Sequence, residues 1–591
     1  MKLTRLFAYA ALPFVFSCNA AVEFNTFVEA DDPVAVTEKS LLAWNQVGRL
    51  NGIWASADSL YSRSEVPVTA AGEICRLEGW KGERVSAQFL LYTGEGADGV
   101  VCKVSEFTSE AAKMSSDIAT ASFVRYTLAD QASPTCRCDR SPYSPAILVP
   151  DLIDTLKVFN MEPKTTRPVW VTVNIPQDAK PGVYKSEITV SAKGCGKVKM
   201  PLEIEVIDQV LPTYEDWSFH LDLWQHPSAV ARMLKLDMWS DEHFEALKEQ
   251  MRPLAEAGQK VITATLNRDP WGYQTYDDYE EMIFWIRHKD GSWSYDYTVF
   301  DRWVELMMDL GVKKQINCYS MIPWSYRLQY LDEESGTRKH AWDAIPGTEE
   351  FEFMWAPFLQ DFVKHLKEKG WLEITNIATD ERSPEEMDAT VALMQKYAPE
   401  LGFAMADNHA SYRRYPNIRD CSVAQRQLYL TDEELQQRKA NGHVTTFYVC
   451  CSTFFPNTFS YSQPFEAELL NWHAIVKDYD GQLRWSVNSW PDNPEYDSRF
   501  RLWGSGDTYS LYPYGRTSMR FERMRDGVEA YEKVRILREK FSDRPEDLKP
   551  LEDAIDKLGS YKLTDNTHPW TDILFEANAA LNQVSKDLAG R

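Results

Sequence analysis

The sequence has little positive charge for its length, since 64 lysine and arginine residues stand against 88 aspartate and glutamate residues among 591. The resulting net charge of −24 disfavours binding to nucleic acids or anionic membrane surfaces, because their phosphate groups would be repelled. Cysteine is scarce too, with 10 residues, which excludes a fold held together by a disulfide framework. No H-E-x-x-H, P-loop or G-x-S-x-G motif is present, so three common enzyme classes receive no support.

Apolar runs long enough to span a membrane are also missing, and the most apolar segment lies at the N-terminus. Residues 6–16 follow two basic residues and are too few to span a bilayer, which is typical of a secretory signal peptide. The next motif, Val-Phe-Ser-Cys at residues 15–18, resembles a lipoprotein cleavage site, although Phe replaces the usual small residue. We therefore predict a signal at residues 1–20 and a lipid on Cys18 as the only membrane contact, with ordinary cleavage near Ala20 as the alternative. The expected location is the periplasm or outer membrane of a Gram-negative bacterium.

Alternation of apolar and polar residues with period two dominates the first third of the chain. Val169, Val171 and Val173 alternate with other residues, and short turns such as the Lys-Pro-Gly at residues 180–182 separate such runs. This pattern is typical of antiparallel strands with one buried face. It predicts an N-terminal β-sandwich domain at residues 21–212.

After this domain, strand-like runs alternate with helical ones. The eight predicted strands are residues 217–224, 261–267, 315–321, 373–380, 402–407, 445–450, 483–487 and 507–512. Eight βα units in about 300 residues are typical of a (β/α)8 TIM barrel. The predicted fold class is therefore α/β plus all-β, with a barrel catalytic domain at residues 213–540 and a helical segment at residues 541–591.

Two adjacent carboxylates, Asp380 and Glu381, follow the fourth predicted strand. Ser-Pro-Glu-Glu at residues 383–386 has the pattern of a capped helix N-terminus, so the pair falls in the loop between strand and helix. Active sites of TIM barrels lie at this end of the strands. The structural alternative is that the two acidic side chains only stabilise the helix dipole.

Adjacent carboxylates suit one mechanism of glycoside hydrolysis better than the commoner one. Most retaining glycosidases need two carboxyl groups about 5–5.5 Å apart that approach the sugar from different sides, which sequence neighbours cannot easily do. In substrate-assisted hydrolysis, the 2-acetamido oxygen of the substrate attacks the anomeric carbon. One carboxyl group then protonates the leaving oxygen and the other holds the acetamido N–H. Two like charges this close also raise one pKa, as a general acid requires.

Aromatic and polar residues at the predicted strand ends would suit a sugar pocket, since a sugar stacks a C–H face on aromatic rings and presents hydroxyls for hydrogen bonds. The predicted substrate-binding residues are Tyr319, Asn408, His409, Tyr448, Trp485, Asn488, Trp490 and Asp507. For Trp485 and Tyr448 the alternative is that they fill the barrel. No cofactor and no metal ion are expected.

The chain resembles glycoside hydrolase family 123. The resemblance rests on Thr-Asp-Glu at residues 379–381, on LRWSVNSWPDNPEYDSRFRLWGSGDTYSLYPYG at 483–515 and on SMRFERMRDGVEAYEKVRILRE at 518–539. It implies a retaining β-N-acetylgalactosaminidase that acts on glycans or glycolipids, with Glu381 as general acid/base and Asp380 orienting the acetamido group. A β-N-acetylglucosaminidase with the same mechanism and a non-catalytic glycan-binding protein are the alternatives.

Overall fold

The structure is a computed structural model that describes residues 27–69, 72–130, 145–342, 344–426 and 430–589. The predicted signal peptide and Cys18 lie outside these ranges, so both stay predictions. Within the described ranges, no helix is both long enough and apolar enough to cross a membrane.

The N-terminal part is a β-sandwich of two packed sheets. After helix α1 (Glu38–Trp44), its strands are β1 (Asn51–Ala55), β2 (Cys75–Lys81), β3 (Arg84–Thr93), β4 (Ala97–Val104), β5 (Phe107–Thr108), β6 (Lys113–Met114), β7 (Ala119–Asp130), β8 (Ala146–Ile153), β9 (Phe159–Met161), β10 (Thr165–Asn174), β11 (Gly182–Ser191) and β12 (Val198–Val210). One sheet has the order β1-β3-β10-β7-β8, and the other has β2-β12-β11-β4-β9 with β5 and β6 beside it. Strands β2 and β12 pair in parallel, which the expectation of purely antiparallel pairing missed, because these strands are distant in sequence.

Strand β10 shows why the sandwich and the rest of the protein pack tightly. Val169, Val171 and Val173 point into the sandwich core, as their alternation predicts. The residues between them face the other way, and Trp170 is buried against Met519 at the start of the C-terminal helices. The five-stranded sheet is therefore covered on both faces.

The second part is a nearly closed barrel of eight parallel strands, which confirms the predicted fold class. Its strands are β13 (His220–Leu223), β14 (Val261–Thr265), β17 (Gln315–Tyr319), β20 (Thr375–Thr379), β21 (Gly402–Asp407), β22 (Ile418–Ala424), β23 (Val444–Tyr448) and β24 (Gly481–Arg484). Between the first two strands the sheet closes through one backbone hydrogen bond, from the Lys260 N–H to the Leu221 oxygen at 3.0 Å.

The predicted number of barrel strands is right, but one predicted strand is wrong. Residues 507–512 form a loop, and Ile418–Ala424 is the sixth strand instead. Strand β22 lacks an apolar pattern because its inward side chains are polar. The Asp420 carboxylate lies inside the barrel and accepts a hydrogen bond from the Gln315 side chain at 2.6 Å. Tyr448 therefore ends the seventh strand, and Trp485 follows the eighth.

Helices cover the outside of the barrel and form the C-terminal part. They are α2 (Pro227–Leu234), α3 (Asp241–Glu256), α4 (Thr298–Asp309), α5 (Glu349–Lys369), α6 (Pro384–Tyr397), α7 (Ser411–Arg414), α8 (Asp432–Ala440), α9 (Phe465–Lys477), α10 (Met519–Lys540), α11 (Lys549–Ser560) and α12 (Trp570–Asp587).

A small sheet is inserted in the loops after the second and third barrel strands. Its strands are β15 (Phe284–Arg287), β16 (Trp293–Asp296), β18 (Leu328–Asp332) and β19 (Thr337–Ala341), in the order β16-β15-β18-β19. The segment between β17 and β18, which carries Trp324, lies at the carboxyl end of the barrel.

Helix α10 joins the sandwich to the barrel through buried ion pairs. The Arg520 guanidinium contacts the Asp151 carboxylate of strand β8 at 3.0 Å. Further along the helix, Lys533 contacts Glu83 at 2.8 Å. Removing one partner of such a pair leaves an uncompensated buried charge, which typically costs about 3–5 kcal/mol. The two parts of the chain are therefore held in one arrangement.

Candidate active site

Asp380 and Glu381 lie where the sequence predicts, in the loop between strand β20 and helix α6. The loop is short because a capping box fixes the start of the helix. The Ser383 hydroxyl accepts the Glu386 N–H at 3.3 Å, and the Glu386 carboxylate accepts the Ser383 N–H at 3.0 Å. Both carboxylates therefore stand at the carboxyl end of the barrel.

Glu381 has the environment of a general acid. Burial raises the pKa of its carboxyl group to about 6, and the nearby charge of Asp380 adds to the increase. The Tyr448 hydroxyl donates a hydrogen bond to Glu381 and acts in the opposite direction, since it stabilises the ionised form. A carboxyl group with this pKa is still partly protonated near neutral pH, as proton donation to a leaving group requires.

Asp380 is fixed by one hydrogen bond to each of its oxygens. Its Oδ1 accepts the backbone N–H of Glu381 at 2.9 Å, and its Oδ2 accepts the indole N–H of Trp324 at 3.0 Å. Burial raises the pKa of this carboxyl group, whereas the two N–H donors and Arg382 lower it. The carboxylate plane is thus set by protein donors before any substrate is bound.

Removing the Tyr448 hydroxyl is expected to change the pH dependence of any reaction in which Glu381 donates a proton. In Tyr448→Phe the pKa of Glu381 should rise, because the lost hydrogen bond favoured the ionised form. The alkaline limb of kcat/KM then moves to higher pH, by less than about one unit. Tyr397→Phe is the control, since Tyr397 also donates to a glutamate, Glu352, but outside the barrel. An unchanged alkaline limb in Tyr448→Phe would contradict the assignment of Glu381 as the acid.

An aromatic cluster forms the wall beside the two carboxylates. The ring of Trp224 lies 4.6 Å from that of Tyr319 and 5.1 Å from that of Trp271, measured between centroids. Tyr448 belongs to the same cluster, and Trp485 packs against it. Of these residues the sequence analysis missed Trp224 and Trp271. Trp224 could have been found, because it ends the first predicted strand.

Asp507 positions an aromatic side chain. Its carboxylate forms a buried ion pair with Arg484 at 2.7 Å and accepts the indole N–H of Trp485 at 3.3 Å. The Trp485 ring is only partly buried and meets Trp503 edge to face, with 5.6 Å between centroids. Trp485 therefore presents a fixed, accessible ring beside the cluster.

Asn408 and His409 follow strand β21. The Asn408 Oδ1 atom is buried and has no hydrogen-bond partner among the described residues, which leaves an acceptor for a ligand. The His409 side chain is exposed. Its backbone N–H and the Ser411 hydroxyl both donate to the buried Asp407 carboxylate, at 2.8 and 2.9 Å. Asp407 is a residue that the sequence analysis missed, and its charge contributes to the raised pKa of Glu381.

Asn488 and Trp490 do not belong to the aromatic cluster beside the two carboxylates. Asn488 is fully buried and exchanges two hydrogen bonds with the backbone of His226, at 2.8 and 2.9 Å. Trp490 is also fully buried, and its indole N–H donates to the Leu511 oxygen at 2.6 Å. Both side chains hold loops together in this structure, so we leave them out of the proposed sugar site.

No metal site is visible in the part of the chain that the structure describes, since it has no group of three or more His, Cys, Asp or Glu side chains suitably arranged.

The carboxyl end of the barrel thus carries a proton donor and a second carboxylate beside aromatic rings, groups that glycoside hydrolysis uses. The comparisons agree. The chain belongs to glycoside hydrolase family 123, since the description "Glycoside hydrolase 123, catalytic domain" matches residues 224–537. A second description, "Glycoside hydrolase 123 N-terminal domain", matches residues 54–192. The family predicted from the sequence is confirmed, and so is the prediction of an enzyme.

Solved structures include a similar protein of the same family. A family 123 glycoside hydrolase from Clostridium perfringens, described in a study of glycolipid glycan hydrolysis, is 25% identical, with a TM-score of 0.82. The match covers 91% of this chain and 99% of that one. A family 5 xyloglucanase from Bacteroides ovatus is 9% identical, covers 77% of this chain and 98% of that one, and has a TM-score of 0.29. No curated protein matches the chain.

Proposed function

We propose that this glycoside hydrolase releases β-linked N-acetylgalactosamine from glycans or glycolipids by a retaining, substrate-assisted mechanism. The observation that carries the proposal is the pair of adjacent carboxylates on one loop, of which Glu381 has a pKa raised to about 6 and Asp380 is held by two N–H donors. The similarity to an enzyme studied for glycolipid glycan hydrolysis supports the substrate class.

In the first step Glu381 is protonated and gives its proton to the glycosidic oxygen. The acetamido oxygen of the substrate attacks the anomeric carbon at the same time, so the bond to the leaving group breaks and an oxazolinium ion forms, which keeps its N–H proton. Asp380 accepts the acetamido N–H and balances the positive charge that develops on this group. In the second step the Glu381 carboxylate takes a proton from water, which attacks the anomeric carbon and opens the oxazolinium ring to restore the acetamido group. Two inversions give overall retention.

Two other carboxylates beside the site, those of Asp407 and Asp507, are already engaged by protein groups. Asp407 accepts hydrogen bonds from Ser411 and the loop backbone, and Asp507 is paired with Arg484. These contacts give both carboxylates roles within the protein structure. The acetamido group of the substrate therefore suits the role of nucleophile better than either of them does.

The sugar would stack on the aromatic wall. The partly exposed Trp485 ring offers a flat apolar face, to which the C–H face of a pyranose is complementary. The unpartnered Oδ1 of Asn408 offers an acceptor for a hydroxyl group, and its burial makes an unmade hydrogen bond costly. These two residues give the site one stacking and one polar contact beside the acetamido contact of Asp380.

The experiment compares the hydrolysis of aryl β-N-acetylgalactosaminide and aryl β-N-acetylglucosaminide by the wild-type enzyme. We expect the galactosaminide to be the better substrate, and a thiazoline mimic of the oxazoline to inhibit. A preference for the glucosaminide would change the sugar but keep the mechanism. Cleavage without thiazoline inhibition would point to a protein nucleophile, and cleavage of neither substrate would contradict the proposed function.

A further inference from the structure

Trp324 reaches the catalytic loop from the inserted segment after the third barrel strand. Its indole N–H donates to the Asp380 Oδ2 atom at 3.0 Å and so supplies a side-chain hydrogen bond to this carboxylate. Its backbone N–H donates to the Pro270 oxygen at 2.9 Å, in the loop after the second barrel strand. One residue thus links the loops that follow three strands.

Trp324 is clamped at its ring and at its Cβ. The Arg382 guanidinium lies over the ring at 4.0 Å from its centroid, and is itself held by a hydrogen bond to the Ile322 oxygen at 2.8 Å. On the opposite loop, Gly272 has a positive φ of 53°, and a Cβ there would come within 3.0 Å of the Trp324 Cβ. Only a glycine lets the two loops approach this closely.

The clamp determines the direction of the Asp380 carboxylate. Its Oδ1 is fixed by the Glu381 N–H and its Oδ2 by the indole, so the carboxylate cannot rotate without losing a hydrogen bond. The remaining lone pairs are available to a further donor.

We propose that Trp324 is the positioning residue of the reaction, which holds the Asp380 carboxylate in the orientation that receives the acetamido N–H of the substrate. The inference rests on the proposed function, because only that mechanism gives Asp380 such a partner. Trp324 acts through Asp380 and needs no contact with the sugar. Trp324 is 37% exposed, so it contributes little to the barrel core and its replacement should leave the fold intact.

The test compares Trp324→Phe with Trp342→Phe. Phenylalanine keeps an aromatic ring under Arg382 but has no N–H donor. We expect kcat/KM for the aryl β-N-acetylgalactosaminide to fall about 10- to 100-fold, since the lost hydrogen bond has a charged acceptor. The affinity for the thiazoline inhibitor should fall by a similar factor.

Trp342, in the same insertion and 57% exposed, is the control, since its ring contacts Arg327 and His340 but neither of the two carboxylates. Its replacement should change neither quantity.

The pH profile separates positioning from simple packing. The indole hydrogen bond lowers the pKa of Asp380, so its loss should raise that pKa and move the acid limb of kcat/KM to higher pH. The other charged or titratable groups that interact with Asp380 are Glu381, Arg382, Tyr319 and Tyr448. They are the same in both variants.

A further variant removes only the donor. Site-specific incorporation of 3-benzothienylalanine at position 324 keeps both rings and replaces the N–H by sulfur, and it should reproduce the losses of Trp324→Phe. If this variant has wild-type activity, inhibition and acid limb, the inference is overturned, even where Trp324→Phe is impaired or fails to fold. A wild-type enzyme that the thiazoline does not inhibit would overturn the proposed function, and the inference with it.

Discussion

Replacing Glu381 by glutamine should lower kcat by about 10²–10⁴-fold for a substrate whose leaving group is a sugar, the usual contribution of a positioned general acid. The amide has almost the same shape and its oxygen can still accept the Tyr448 hydroxyl, so the fold should be preserved. What is lost is the proton that the glycosidic oxygen needs. Steady-state kinetics on an N-acetylgalactosamine-containing disaccharide measures this loss.

The leaving group provides the internal control for this variant. A dinitrophenyl group departs without protonation, so cleavage of the corresponding hexosaminide should be impaired far less by Glu381→Gln. Glu385→Gln is the matched control, because Glu385 is an exposed glutamate in the first turn of the adjacent helix. If Glu381→Gln hydrolyses the disaccharide at the wild-type rate, Glu381 is not the acid.

Replacing Asp380 by asparagine should also reduce kcat strongly, by roughly 10²–10³-fold, the size of effect seen when one preorganised electrostatic partner is removed. Asparagine carries no charge to balance the oxazolinium. Its amide nitrogen must also face one of two N–H donors, the indole of Trp324 or the backbone of Glu381, where it can accept no hydrogen bond.

The pattern of the loss distinguishes the two carboxylates. Charge balance is needed whatever the leaving group is, so Asp380→Asn should be impaired equally on the disaccharide and on the dinitrophenyl substrate. Thiazoline inhibition should weaken in parallel. Asp388→Asn on helix α6 serves as control, because Asp388 is exposed and binds Arg414 away from the barrel mouth. A loss that appears only with the poor leaving group would assign the acid role to Asp380 instead.

The sequence predicted the two carboxylates because local signals define their position. A capped helix start after Ser383 marks the end of the strand within a residue or two, and in a barrel this end is where chemistry occurs. The prediction is wrong for residues 507–512 and lacks strand β22, because apolar alternation does not mark the strands inside this barrel. Polar groups such as Gln315 and Asp420 satisfy each other there, and no single segment reveals that pairing.

The rest of the site comes from contacts between distant segments. Trp324 reaches Asp380 from an inserted loop 56 residues earlier in the sequence, and Asp507 reaches Arg484 across a loop of its own. Neither of these two contacts produces a periodic pattern in the sequence from which it could be predicted. The same strand-end argument that located Tyr448 also selected Trp490, which lies too far past its strand and packs inside the protein.

The ion pairs along helix α10 affect whether the sandwich and the barrel can be inherited separately. A barrel separated from its sandwich would expose Arg520 and Lys533 without Asp151 and Glu83, and would uncover the apolar face around Met519. A gene segment encoding the barrel alone would therefore specify a defective product. Recombination that exchanged the sandwich would break these contacts, so we expect the two parts to descend together as one hereditary unit.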